Sequence, residues 1–151
     1  MSRAYGDDIL NSVQDLLQDR LNTELTTILT DKEDLDCPTV KKVNIGYSER
    51  QYPECLITLN DSLVEPDTLD LDIDQTPEEY PVDVVIVLKD NTPKTYLRQE
   101  YYIKALQKTL HGFTDSNITW ILVTGSIRAN MYTEQKETLR IVGVSIIVRT
   151  L

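Results

Sequence analysis

Three stretches of this sequence are apolar at both parities, and that restricts the fold more than any other feature. Val84, Ile86 and Leu88 alternate with Val85 and Val87; Ile118, Trp120 and Leu122 with Ile121 and Val123; Val142, Val144, Ile146 and Val148 with Ile141 and Ile147. Successive side chains of an extended strand point to opposite faces, so each stretch reads as a strand that needs apolar cover on both sides. All three are strand-sized and far short of the ~20 residues of a membrane helix.

The sequence offers few helices to provide that cover. From Asp7 to Leu29, Ile9, Val13, Leu16, Leu17, Leu21, Leu25 and Ile28 recur at three- and four-residue spacing, with Asp8, Asp15, Asp19 and Asn22 opposite. This predicts an amphipathic helix, with Asp7 or Asp8 as its N-cap. A second helix is predicted over Tyr96–Leu110, with Tyr102, Ile103, Leu106 and Leu110 on its apolar face and Arg98, Gln99 and Lys104 exposed. His111-Gly112 is its stop.

Between the helices, Val43, Ile45 and Tyr47 alternate with polar residues, and the pattern resumes at Leu56–Leu59 beyond Ser48-Glu49-Arg50-Gln51. An antiparallel hairpin is the simplest reading. Residues 60–81 form an acidic excursion with Pro66 and Pro77 and at most one edge strand. Val82–Lys89 is the expected centre of the sheet, and Gly125–Glu137 a polar connector between the last two strands, Ile118–Thr124 and Thr138–Val148.

The predicted class is therefore α+β: a mostly antiparallel sheet of about five strands with two helices packed on one face, in a single domain over residues 1–151. At 151 residues such a domain buries ~70% of its unfolded surface. Two helices cover only one face of such a sheet. The other apolar face is left for another subunit, the preferred reading, or for the chain's own long hairpin.

Charge narrows the partners. Fifteen Lys and Arg against 25 Asp and Glu give a net charge of -10, and the longest basic cluster is Lys41-Lys42. Such a chain repels nucleic acid and anionic membranes. The N-terminal residues lack the apolar core of a signal peptide. Cys37 and Cys55 lack zinc-ligand spacing and read as reduced structural thiols.

Candidate chemistry is sparse. Asp70-Leu71-Asp72-Ile73-Asp74 superficially resembles the start of a calcium loop, but the sixth and twelfth positions hold Gln75 and Pro81 where that loop needs Gly and a carboxylate. The plainer reading is a solvated, like-charged edge that discourages strand pairing. Glu134-Gln135-Lys136 spells half of a metal-dependent nuclease site, with Asp83 or Asp115 as the other carboxylate. It lies in a polar connector of an acidic protein, which is the wrong context for that chemistry. His111, the only histidine, is expected to cap its helix. Trp120 and Tyr102 are expected in the core. No metal, cofactor or catalytic residue is called for.

With these elements in place, the chain resembles the phage tail terminator or tail completion family. The resemblance rests on the opening helix from Asp7, on the hairpin with Tyr52-Pro53-Glu54-Cys55-Leu56-Ile57, on Val82–Lys89 followed by Tyr96–Leu110, and on the closing strand pair. It implies a structural, non-enzymatic protein of the virion tail or neck, assembled in the host cytoplasm. Such a protein forms a ring, usually a hexamer, that caps the tail tube, stops its polymerisation and joins it to the head connector. The implied partners are further copies of itself, the tail tube protein and a connector or neck protein, with DNA only passing through the lumen. Another neck or connector adaptor is the alternative, and a metal-dependent nuclease ranks below both. Asp70, Asp72 and Asp74 are candidates for a lumen lining. Arg128 and Glu134 are candidates for contacts between subunits.

Overall fold

A computed structural model describes residues 5–60, 78–89, 92–132 and 138–150. The elements run α1 (Gly6–Asp31), β1 (Lys42–Ile45), β2 (Glu54–Leu59), β3 (Glu78–Leu88), α2 (Pro93–Leu110), β4 (Trp120–Tyr132) and β5 (Thr138–Thr150). They form a five-stranded sheet in the order β1-β2-β3-β5-β4, with β3 at its centre, and only the β1–β2 pair is parallel. The chain is α+β, as the periodicities predict.

Both helices lie on the same face of this sheet. The register sets Cys55 beside Ile86, Ile57 beside Val84, and Val84 and Ile86 beside Val144 and Val142. These side chains are fully buried in one cluster with Ile9, Val13, Leu17, Leu21 and Leu25 of α1 and Ile103, Leu106 and Leu110 of α2. The apolar stripe of each helix thus meets one parity of the strands.

The ends of the helices differ from expectation in detail. Asp8 does not occupy the N-cap of α1. Tyr5 does, and the Asp8 carboxylate, one turn in, accepts from the Tyr5 N–H at 2.9 Å. That position still satisfies a free donor at the positive end of the helix dipole. α2 starts earlier than its apolar stripe suggests, because Thr92 caps it and Pro93, which lacks an N–H, suits the first turn. Gln99 is buried rather than exposed, accepting from Arg140 Nη2 at 2.7 Å.

The predicted antiparallel hairpin is overturned: β1 and β2 are parallel, with Lys42 beside Glu54 and Ile45 beside Ile57. Parallel neighbours usually need a connection of a dozen residues or more. Here residues 46–53 bring the chain back to the start of β1, through left-handed backbone at Gly46 (φ 75°) and Arg50 (φ 59°). Glu54 holds that return in place. Its fully buried carboxylate accepts from Ser48 Oγ at 2.5 Å, the Glu49 N–H at 2.7 Å and Asn44 Nδ2 at 3.1 Å. A tight polar loop between two short alternating runs reads as a hairpin unless the buried acceptor is recognised.

α2 is fastened to the α1–β1 connection by Arg98. Its Nε donates to Asp34 Oδ2 at 2.8 Å, and Nη2 donates to Asp34 Oδ1 at 2.6 Å and Asp36 Oδ1 at 2.5 Å. The Lys94 ammonium at 2.5 Å, with the Asp34 and Arg98 side chains, holds the Asp36 carboxyl well below its usual range. Nearby, the Tyr102 hydroxyl donates to the Pro38 carbonyl at 2.7 Å, which leaves the Cys37 thiol, 3.3 Å away, to donate to Tyr102. Burial raises the pKa of both groups, and of the fully enclosed Cys55. Both cysteines are free thiols.

Two substitutions test this packing. A Cβ on Gly143 would lie 2.2 Å from the Val84 carbonyl oxygen and 2.7 Å from Val85 Cα. Gly143→Ala is therefore expected to lower unfolding free energy by roughly 2 kcal/mol or more, read from the urea midpoint. Glu54→Ala strands the Ser48 and Glu49 donors and is expected to cost about 3 kcal/mol, whereas Glu54→Gln, which keeps one acceptor oxygen, costs about half as much.

Candidate assembly surface

The side of the sheet away from the helices is built from the other parity of the same strands. Across it, Leu56, Val85, Gly143 and Ile127 form one row, and Glu54, Val87, Ile141 and Ala129 the next, with Leu139 beside Met131 beyond. Toward the other end come Asp83 and Ser145, joined by a 2.9 Å hydrogen bond from the serine hydroxyl, then Pro81, Ile147 and Leu122. No helix of the described residues packs on this face. Val87 and Leu139 are buried, Val85, Ile141 and Ile147 half-buried, and Leu122 and Met131 are 40% and 43% exposed.

Trp120 lies at the rim of this face, not in the core. Its partly buried ring lies 5.0 Å below the Arg149 guanidinium, which also pairs with Glu79. Tyr102 is buried as expected, whereas Tyr96 is exposed, with Arg140 5.8 Å above its ring.

β4 is longer than predicted, because the first part of the presumed connector Gly125–Glu137 is strand as far as Tyr132. The pattern was obscured by an irregularity in the register between Val123 and Gly125. A β-bulge inserts a residue and shifts the alternation by one. Before it, Ile121 and Val123 lie on the helix side. After it, Ser126, Arg128 and Asn130 do, and Ile127, Ala129 and Met131 take the helix-free side.

This bulge also divides the edge of the sheet. Ahead of it, the turn after α2 covers β4: the Gly112 N–H donates to the Ile121 carbonyl at 2.9 Å, and the Val123 N–H donates to His111 Nδ1 at 3.2 Å. His111 occupies the expected C-cap position, with its N–H donating to the Gln107 carbonyl, but its imidazole accepts from β4 instead of capping helix carbonyls. From Gly125 to Tyr132, β4 has no backbone partner other than β5 among the described residues. The opposite edge is blunted. β1 has four residues, Gln14 Nε2 donates to the Val43 carbonyl at 2.9 Å, and Asn22 brackets the Val40 backbone at 2.8 and 2.9 Å.

Of the residues singled out from sequence, Arg128 lies on this bare stretch, where its side chain pairs with Glu100 of α2 and donates to Ser126 Oγ at 3.0 Å. The acidic excursion expected over residues 60–81 ends earlier than that, because residues 78–81 begin the central strand β3; residues 61–77, with Asp70, Asp72 and Asp74, lie outside the described residues, and so does Glu134. Asp83 and Asp115 are not brought together: Asp115 accepts at 2.7 Å from the Asn117 and Ile118 N–H groups in the turn before β4, whereas Asp83 lies within β3. Among the described residues, no three His, Cys, Asp or Glu side chains are grouped to hold a metal ion. No described helix is long and apolar enough to cross a membrane. Sequence reasoning missed Ile127, Ala129 and Met131 as surface apolar residues. Their two-residue spacing was present, but out of phase with Ile121 and Val123.

No protein-family model matches the chain, and no curated protein matches it.

His111→Ala tests the edge cover. The Val123 amide is expected to exchange with deuterium at least about tenfold faster, while global stability falls by about 1 kcal/mol or less, because the lost bond lies at an exposed edge.

Proposed function

We propose that this protein is a structural assembly component of a phage tail: a ring-forming terminator that caps the tail tube, stops its polymerisation and joins it to the head connector. The observation that carries this reading is the helix-free apolar face, flanked by the bare stretch of β4. A surface with apolar rows from Leu56 to Ile127, and no cover from the described helices, suits burial against another protein. Eight consecutive edge residues beside it offer backbone groups for a partner strand.

The resemblance in element order supplies the kind of assembly; the α+β class is compatible with it, while the hairpin among its features is a parallel pair. Charge fits the same reading. A net charge of -10 suits a lumen through which DNA passes without adhering. Asp70, Asp72 and Asp74 are the proposed lumen carboxylates. Glu134 is proposed to contact a neighbouring subunit, and so is Arg128, which would first have to leave Glu100. The site of action on this reading is the virion neck.

Light scattering over a concentration series, with negative-stain images of the same sample, tests self-assembly. The expected mass is about six times the 17.3 kDa of the chain, in closed rings. Ile127→Lys combined with Met131→Lys places two charges on the helix-free face, and is expected to yield monomers with unchanged circular dichroism. Assembly of this variant at wild-type mass would remove the face from the interface. A wild-type chain that stays monomeric throughout would overturn self-assembly and favour an adaptor ordered by a preformed connector.

A further inference from the structure

We infer that the cleft at the C-terminal end of β3 is a binding site for a carboxylate carried on a small apolar or aromatic body. This cleft, of about 300 Å3, lies on the helix side of the sheet, between the connections that flank β1 and the first turns of α2. Lys41, Lys89 and Arg98 line it together with Tyr52, Thr95 and Tyr102, and no carboxylate among the described residues does. Three cations around one concavity are unexpected in a chain with 25 acidic and 15 basic side chains.

The cations have different duties. Arg98 is committed to Asp34 and Asp36 and forms a fixed wall. Lys41 and Lys89 have no ion-pair partner among the described residues, so two ammonium groups on flexible stems are available to one ligand. Tyr52 and Thr95 add hydroxyls. The rest of the wall is apolar: Pro38, Pro53, Leu88 and the Tyr102 ring, which is held in place by its bond to the Pro38 carbonyl.

A few polar groups in an apolar concavity of this size describe a small-molecule or side-chain pocket. Its chemistry favours a carboxylate over a phosphate, because half of the wall would lie idle against a compact, fully hydrated dianion. A carboxylate on a ring or short alkyl chain uses both halves, with the acid between the lysines and the body against the proline and tyrosine surfaces. This inference is independent of the ring proposed above, since the cleft lies on the side of the sheet away from the helix-free face.

Phenylacetate serves as the probe, followed by saturation-transfer NMR and calorimetry on the full chain. Saturable binding is expected, weakening with added salt. The neutral isostere phenylacetamide is expected to bind at least about tenfold more weakly. The double variant Lys41→Gln/Lys89→Gln should weaken phenylacetate binding by at least about tenfold with an unchanged circular dichroism spectrum, while Lys104→Gln leaves it unchanged. Comparison with acetyl-Phe-Glu-amide separates the sources: tighter binding of phenylacetate assigns a free acid, and tighter binding of the peptide assigns an acidic side chain of a partner. Absence of saturable phenylacetate binding, equal binding of the amide, or an affinity untouched in the double variant would overturn the site.

Discussion

The register between β3 and β5 is what the other contacts presuppose. Val84 beside Val144 and Ile86 beside Val142 gather fully buried apolar positions of β3 and β5 on the side where α1 and α2 lie. Slipping either strand by one residue would exchange its faces. In many sheets, a polar alternate parity makes such a slip costly. Here both parities are apolar, so the pattern itself discriminates weakly. Gly143 supplies what the pattern lacks, because the Val84 carbonyl and the Val85 backbone occupy the space where a Cβ would sit. Only one residue of β5 fits beside Val85, and that residue has no side chain. Asp83 beside Ser145, joined by a hydrogen bond, marks the same register one step further along the helix-free side.

From that register follow the two unlike faces, and from the bulge follow two unlike halves of β4. Up to Val123 the strand belongs to the domain: its helix-side residues enter the core, and the turn after α2 covers its edge. Beyond Gly125 it continues as a ribbon with β5, its helix-side positions taken by Ser126, Arg128 and Asn130. Polar groups tie this ribbon back to α2, with Arg128 on Glu100 and Arg140 on Gln99, and Arg140 also holds Asn130 across the ribbon. The ribbon is therefore positioned against the domain, while among the described residues nothing covers one face and one edge of it.

Much of this was legible in the sequence, and the failures share a cause. The helices, the central place of β3, and the apolar excess that two helices cannot cover all follow from periodicity, which reports local geometry and burial. What periodicity cannot report is where a chain returns to. Lys42–Ile45 and Glu54–Leu59 have the same alternation whether their pairing is parallel or antiparallel, and the choice rests on Glu54 gathering donors from Asn44, Ser48 and Glu49. A glutamate beside Pro53 gives no sign that it will be buried. The bulge hid the second half of β4 in the same way, since a single inserted residue moves Ile127, Ala129 and Met131 out of phase with the strand before it. The apolar neighbours of Trp120 predict a core position, but a strand apolar on both faces does not show which face the helices will take.

The distribution of charge bears on what the open surfaces can meet. Arg98, Arg128, Arg140 and Arg149 are all engaged within the chain, with Asp34 and Asp36, Glu100, Gln99 and Asn130, and Glu79. Internal use of arginine leaves the acidic surplus to dominate the field outside, which extends about 8 Å at physiological ionic strength. Copies of such a chain repel one another at a distance, so any self-association has to draw its free energy from short-range apolar burial and strand pairing. The two edges of the sheet cannot simply be joined, because β1 is four residues long and lies against α1, whereas the bare stretch of β4 has eight. A closed ring of more than two copies is built from heterologous contacts, and because the two edges do not match, the helix-free face or the β4 edge of one copy has to meet a surface other than the β1 edge of the next. Such a contact is also salt-dependent in a defined sense: screening weakens the repulsion between acidic subunits and leaves the apolar contact intact, so added salt strengthens assembly.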